Sequence, residues 1–145
     1  MKIFRNIILL VVVGVLAVGL LNRLNAQQDS TIYDRDVEIV EMDELLYPTL
    51  AQSAAVQGVV VVKVALAQDG RVISAFPLSG GDKLLIDLSL QNARKARFRP
   101  NTQKSAIVVY GFKLDSGVCV VPRSFFQLIR PNFVLVTGCK MIPGI

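Results

Sequence analysis

From residue 47 onward the spacing of apolar and polar positions changes several times, and each change predicts an element. Tyr47-Pro48 opens a short helix, because proline suits a first helical turn. Leu50, Ala51, Ala54 and Ala55 give that helix an apolar stripe, and Gly58 is expected to end it. The run Val59-Val60-Val61-Val62-Lys63-Val64-Ala65-Leu66 is β-branched and short, so it reads as a buried strand. Asp69-Gly70 is a two-residue hairpin signal, since glycine accepts the positive φ that such turns need. That turn sets a register with Leu66 opposite Ile73 and Val64 opposite Ala75. Val60, Val62, Val64 and Leu66 then share a face with Ile73, while Lys63 and Phe76 pair on the other. Pro77 removes a ladder donor and points to an edge position or the end of pairing.

Ser79-Gly80-Gly81 breaks the pattern, and Asp82 is placed to cap a helix over residues 83–97. Leu85, Ile86, Ser89, Leu90, Ala93 and Ala96 fall in one stripe of that helix, and its small residues permit close approach to a sheet. Arg94, Lys95 and Arg97 crowd the last turn, where positive charge suits the helix dipole, and Pro100 stops it. Alternation returns over residues 106–114, with Val108, Tyr110, Phe112 and Leu114 on one side. Two further apolar runs, 124–129 and 133–137, flank the turn Arg130-Pro131-Asn132 and predict a C-terminal hairpin. The fold class is therefore α+β.

The first 26 residues follow a different logic. Lys2 and Arg5 precede fifteen uninterrupted apolar or glycine residues (7–21), and a polar stretch ends at Ala26. This is the layout of a secretory signal peptide. As a helix the apolar run reaches only about 22 Å, short of the ~30 Å hydrocarbon layer. Leu24 and Arg23 are poor residues for a cleavage region, so a retained inner-membrane anchor stays open beside cleavage. Either fate takes the remainder out of the cytoplasm, to the periplasm or beyond. Residues 27–46 read as an acidic leader or linker, 47–115 as the folded domain, and 116–145 as an extension carrying the hairpin.

Charge is distributed unevenly. Residues 27–44 carry seven acidic groups against Arg35 alone, a net of −6, whereas residues 45–145 carry 12 basic and four acidic groups, a net of +8. The leader is either a solvated tail or lies back on the basic face. The chain contains no histidine, which removes Ser-His-Asp and Cys-His catalysis and most zinc sites. Asp69, Asp82, Asp87 and Asp115 each have a turn, cap or surface role, and no pair is placed in a common cleft. No catalytic residue, metal site or cofactor is expected, and export separates the basic domain from nucleic acid. In an oxidising compartment Cys119 and Cys139 most simply form one disulfide.

One constellation resembles the C-terminal domain of TonB-type energy transducers. It consists of Tyr47-Pro48 with Ala51, Gly58 before the Val-rich strand, Asp69-Gly70, Ser79-Gly80, and Arg97-Phe98-Arg99-Pro100. Each motif alone is weak; the order and spacing carry the resemblance, over residues 45–115. It implies a small antiparallel three-stranded sheet packed by two helices, and a binding role in the periplasm. In that family a segment of an outer-membrane receptor adds as a strand beside the last strand of the domain. The matching strand here places Ile107, Val108, Val109, Tyr110, Gly111, Phe112 and Lys113 at the expected border, with Arg97, Arg99 and Lys104 as a basic patch that would steer an acidic partner.

The chain departs from the family pattern in three ways. Ala96 stands where an aromatic often precedes the Phe of the closing motif. Residues 22–46 contain no proline and span at most about 90 Å, so the long spacer of classical transducers is absent. The extension 116–145 runs past the usual end of the domain. If its hairpin pairs with the third strand, it occupies the expected border. Two functions follow as expectations: a periplasmic module binding partner peptides by strand addition, acting in TonB-dependent transport, or a self-contained secreted module that is structural or forms a homodimer.

Overall fold

Val60, Val62, Val64 and Leu66 turn one face of the Val-rich strand into the core, and the rest of the fold is arranged about it. The structure is a computed structural model describing residues 37–129 and 131–142. Residues 1–26, expected from the sequence to be a signal peptide or anchor, and the first part of the expected leader lie outside the described residues. Chain order is β1 (Ile39–Glu41), α1 (Thr49–Ser53), β2 (Gly58–Leu66), β3 (Val72–Ser79), α2 (Lys83–Lys95), β4 (Arg97–Phe98), β5 (Ser105–Cys119), β6 (Ser124–Ile129) and β7 (Phe133–Met141). Among the described residues no helix is long and apolar enough to cross a membrane.

The Asp69-Gly70 hairpin pairs β2 with β3, with Val64 opposite Ala75 and Lys63 opposite Phe76, as the turn predicts. Leu66 meets Val72 instead of Ile73, because the register shifts between Ala65 and Leu66. Ile73 is thereby left 70% exposed, and Val72 takes the inward place intended for it. A second shift lies between Val61 and Val62, beside Pro77.

Both helices form where proline and aspartate place them, and both are shorter than their stripes suggest. Pro48 is the N-cap of α1, whose buried residues are Ala51 and Gln52; Leu50 is 71% exposed. The helix ends in a Schellman turn: Val56 N–H donates to Ala51 at 2.8 Å and Ala55 N–H to Gln52 at 3.2 Å. This turn, three residues before Gly58, closes α1 and holds Ala55 at φ 53°. Asp82 caps α2 by accepting from Leu84 N–H at 2.8 Å. That helix stops at Lys95, two residues early, because Arg97–Phe98 leave it to pair with Ile39 and Glu41 of β1.

The sheet has five strands, not three, in the order β3-β2-β5-β7-β6. The predicted hairpin is present as β6 and β7, antiparallel in unbroken register from Ser124–Gly138 to Ile129–Phe133. Its inner strand β7 runs parallel to β5 and inserts between β5 and β6. Both helices lie on one face of the sheet. There Val62, Val108, Tyr110, Phe112, Val134 and Val136 are almost wholly buried, and Phe98 fills the core near the end of α2.

Candidate functional site

Among the described residues, features that could engage a partner are the main-chain borders of the sheet. β5 leaves almost none open. Its β2 flank is paired from Ser105 to Phe112, and its β7 flank from Val109 to Cys119. Of the seven residues expected to form an open border, Val109, Tyr110, Gly111 and Phe112 are therefore enclosed on both sides; Ile107 and Val108 lie beyond the reach of β7, and Lys113, paired with Thr137 of β7, lies past the last β2 pair at Phe112. This corrects the expectation of a free edge along β5. The extension fills it because Val134 and Val136 complete the core row begun by Tyr110 and Phe112.

Side-chain bonds from the Tyr47-Pro48 region hold that extension in place. Tyr47 N–H donates to Ser124 Oγ at 2.7 Å, and its hydroxyl donates to the Val56 carbonyl at 2.6 Å. Its ring meets Phe112 edge-on, with centroids 5.6 Å apart. Buried Gln52 donates from Nε2 to the carbonyls of Tyr47 and Arg123, at 3.2 and 3.1 Å. Burial pushes the Tyr47 hydroxyl up to about 12 and raises Tyr110 further. Tyr110 is satisfied by Asn92, to whose Oδ1 it donates at 3.1 Å, while Asn92 Nδ2 donates to the Asp43 carbonyl at 2.9 Å. The expected disulfide joins Cys119 to Cys139, with Cα atoms 6.0 Å apart.

The leader is also part of the packed body from Val37 on. Val37, Ile39 and Leu45 are buried. Asn132 clamps the start of β1, donating to the Val37 carbonyl at 2.7 Å and accepting from Ile39 N–H at 3.1 Å. Two ion pairs follow the charge asymmetry of the chain, Glu38 with Arg99 at 2.8 Å and Asp43 with Lys95 at 3.5 Å. Arg99 is thus engaged within the fold. Arg97 is exposed and bridges across to Arg71, and the Lys104 carbonyl accepts from Leu66 N–H at 2.8 Å. Arg97 and Lys104 accordingly stand near the β2–β3 turn, at one end of the sheet. Beside them Asp69 is held below the usual carboxylate range, first by the Arg71 backbone N–H and then by its guanidinium.

Among the described residues the outermost strands of this sheet are β3 and β6, whose outer flanks carry no strand partner. They differ in kind. β3 contains Pro77 and two register shifts, the devices by which edges avoid unwanted pairing. β6, Ser-Phe-Phe-Gln-Leu-Ile, has no proline, no charge and no shift in register, and Phe125 is 66% exposed. Sequence reading found the hairpin but missed its role as the outer rim. Asn92, Gln52 and Asn132 were also missed, since nothing local marks a polar residue whose partners lie far along the chain.

Residues 43–114 match the family model described as Gram-negative bacterial TonB protein C-terminal. A solved structure from Pseudomonas aeruginosa, the TonB CTD in solution, is 27% identical over 59% of this chain and 93% of its own, with a TM-score of 0.47. No curated protein matches.

Proposed function

Because the chain belongs, through residues 43–114, to the TonB C-terminal domain family, we propose that it is a periplasmic module that recognises an extended segment of a partner protein by strand addition along β6. The observation that carries this reading is the unguarded character of that border, which offers six residues of regular strand, whereas Pro77 and two shifts protect the opposite flank. Main-chain pairing supplies affinity with modest demand on sequence, and alternate side chains supply selectivity. The partners are protein segments, with those of outer-membrane receptors first, as the family implies. Their capture needs binding alone and no catalytic group.

The placement of β7 favours a second reading. A strand of this chain lies beside β5, where the family resemblance places the partner, and this supports a self-contained module with that edge covered. Titrating receptor N-terminal peptides into the isotope-labelled protein separates the two. Strand addition on β6 shifts the amides of residues 124–129 and slows hydrogen exchange at alternate positions among them. Shifts confined to β3, or the absence of binding by any such peptide, would overturn the β6 assignment.

A further inference from the structure

β5 and β7 outrun the rest of the sheet. Pairing of β2 with β5 ends at Phe112, and β6 begins opposite Gly138, so past these points β5 and β7 have only each other as strand partners. The two-stranded arm ends with Val118 and Cys119 opposite Lys140 and Met141, and residues 120–123 then lead into β6. Turns ordinarily carry Gly, Pro, Asn, Asp or Ser. This one reads Val120-Val121-Pro122-Arg123. Val120 is 81% exposed and Val121 69%, and Val118 and Ile142 are exposed as well. The four belong to one tip: the valines flank Cys119 in the chain, and the Ile142 N–H donates to the Cys119 carbonyl at 3.4 Å. A β-carbon on Gly117 would meet nothing, which places the arm clear of the body there. The tip is also held in shape. The Cys119–Cys139 disulfide ties its strands together, and Gln52 Nε2 donates to the Arg123 carbonyl at 3.1 Å. Little chain freedom is left to lose on binding.

We infer that this tip docks on the surface of an anionic phospholipid bilayer. Val118, Val120, Val121 and Ile142 enter the acyl layer, while Arg123 and Lys140 meet the headgroup phosphates. Shape and composition select the occupant. A projecting tip has no cleft to receive a partner's side chain, whereas a bilayer admits aliphatic groups without a matching shape. Protein hot spots favour Trp, Tyr and Arg over Val, and the tip carries no aromatic residue. Interfacial binding to lipid grows instead with buried apolar area and with attraction to anionic headgroups. Charge agrees with that. Residues 116–145 contain Arg123, Arg130 and Lys140 and no acidic group. Arg123 stands two positions after Val121 and Lys140 pairs with Val118, both cations being exposed. The acid of the arm, Asp115, lies opposite Cys139, set back from Val118 by Ser116 and Gly117. Single exposed apolar side chains need no partner; four at one rigid tip, beside two cations, call for one. The tip uses residues apart from the β6 border and does not depend on what that border binds.

Paramagnetic broadening by lipid tests the inference on the full chain, as its cell processes it. Vesicles of phosphatidylglycerol and phosphatidylethanolamine, with a nitroxide in the acyl chains, are added to methyl-labelled protein. The readout is local, so it reports the tip whatever else holds the chain to lipid. The expected result is broadening of the Val118, Val120, Val121 and Ile142 methyls, with Val59 spared. In the double variant Val120→Asp, Val121→Asp the broadening of Val118 and Ile142 is lost. At subsaturating lipid it falls about fivefold in Arg123→Gln and about fivefold in Lys140→Gln, and by at least as much on phosphatidylcholine vesicles. Should the aspartate pair fail to fold, the map from the unaltered protein decides alone. Absence of broadening at the tip, which would leave a protein pocket as its occupant, overturns the inference. So does equal broadening on both kinds of vesicle, broadening that survives the aspartate pair, or broadening centred on Val59 and Phe76.

Discussion

The Phe98 carbonyl stands where a β-carbon on Gly70 would have to be, and the Phe98 amide donates to the Gly70 carbonyl at 2.9 Å. Two motifs nearly thirty residues apart, the hairpin turn and the segment that follows α2, are therefore a single contact. Gly70 also sits at φ +84°. Gly70→Ala should cost about 3 kcal/mol, from an overlap with backbone that cannot move aside and from the left-handed conformation. Gly81→Ala, which opens onto empty space, should stay within about 0.5 kcal/mol. Urea midpoints of the two variants measure the difference, and equal midpoints would contradict the contact.

Ala55 occupies the left-handed position of the Schellman turn that glycine normally fills. Relief of β-carbon strain there is worth roughly 1–2 kcal/mol, against about 0.4–1 kcal/mol of added freedom in the unfolded chain. Ala55→Gly should raise stability by about 0.5–1 kcal/mol, read as a higher melting temperature. A lower one would show that the turn holds no strain.

Asn92 joins three elements by accepting from Tyr110 on β5 and donating to Asp43 ahead of α1. Asn92→Leu strands a buried hydroxyl and a carbonyl, a cost of about 2–3 kcal/mol. Tyr110→Phe in the same background should recover part of it, since the hydroxyl is no longer there to satisfy. A double-mutant cycle gives the coupling, and a coupling of zero would mean that the pair is not a unit.

Alkaline stability follows from the two tyrosines. Their folded-state values lie above the ordinary value of 10.0, so the folded chain keeps protons that the unfolded chain releases. Their contribution is intact below pH 10 and falls through pH 12, by at most about 1.4 kcal/mol per pH unit for each tyrosine. Tyr47→Phe should flatten that decline in unfolding measurements above pH 10. An unchanged slope would mean that the Tyr47 hydroxyl ionises freely in the folded state.

The Cys119–Cys139 link closes a loop around the whole C-terminal hairpin. Replacing both residues by serine should cost about 3 kcal/mol through the freed unfolded chain. The five-stranded sheet should survive, because Val134 and Val136 remain buried. Amide exchange in β7 would report this, and loss of its protection would show that the disulfide, not the core, holds the strand in place.

Sequence alone determined the elements whose causes are local. A positive-φ glycine after aspartate makes the β2–β3 turn, Asp82 caps α2, alternation marks β5, and two apolar runs about a turn mark the C-terminal hairpin. What it left open was adjacency. A period of two says which side of a strand faces a core, but not which strand lies next to it. So β7 could be foreseen as a strand and not as the one that closes the border of β5. The parting of β4 from α2, the burial of Val37 and Ile39, and the clamp of Asn132 on β1 have the same origin. Each depends on groups up to 95 residues apart meeting within hydrogen-bond distance, and only the folded chain brings them together.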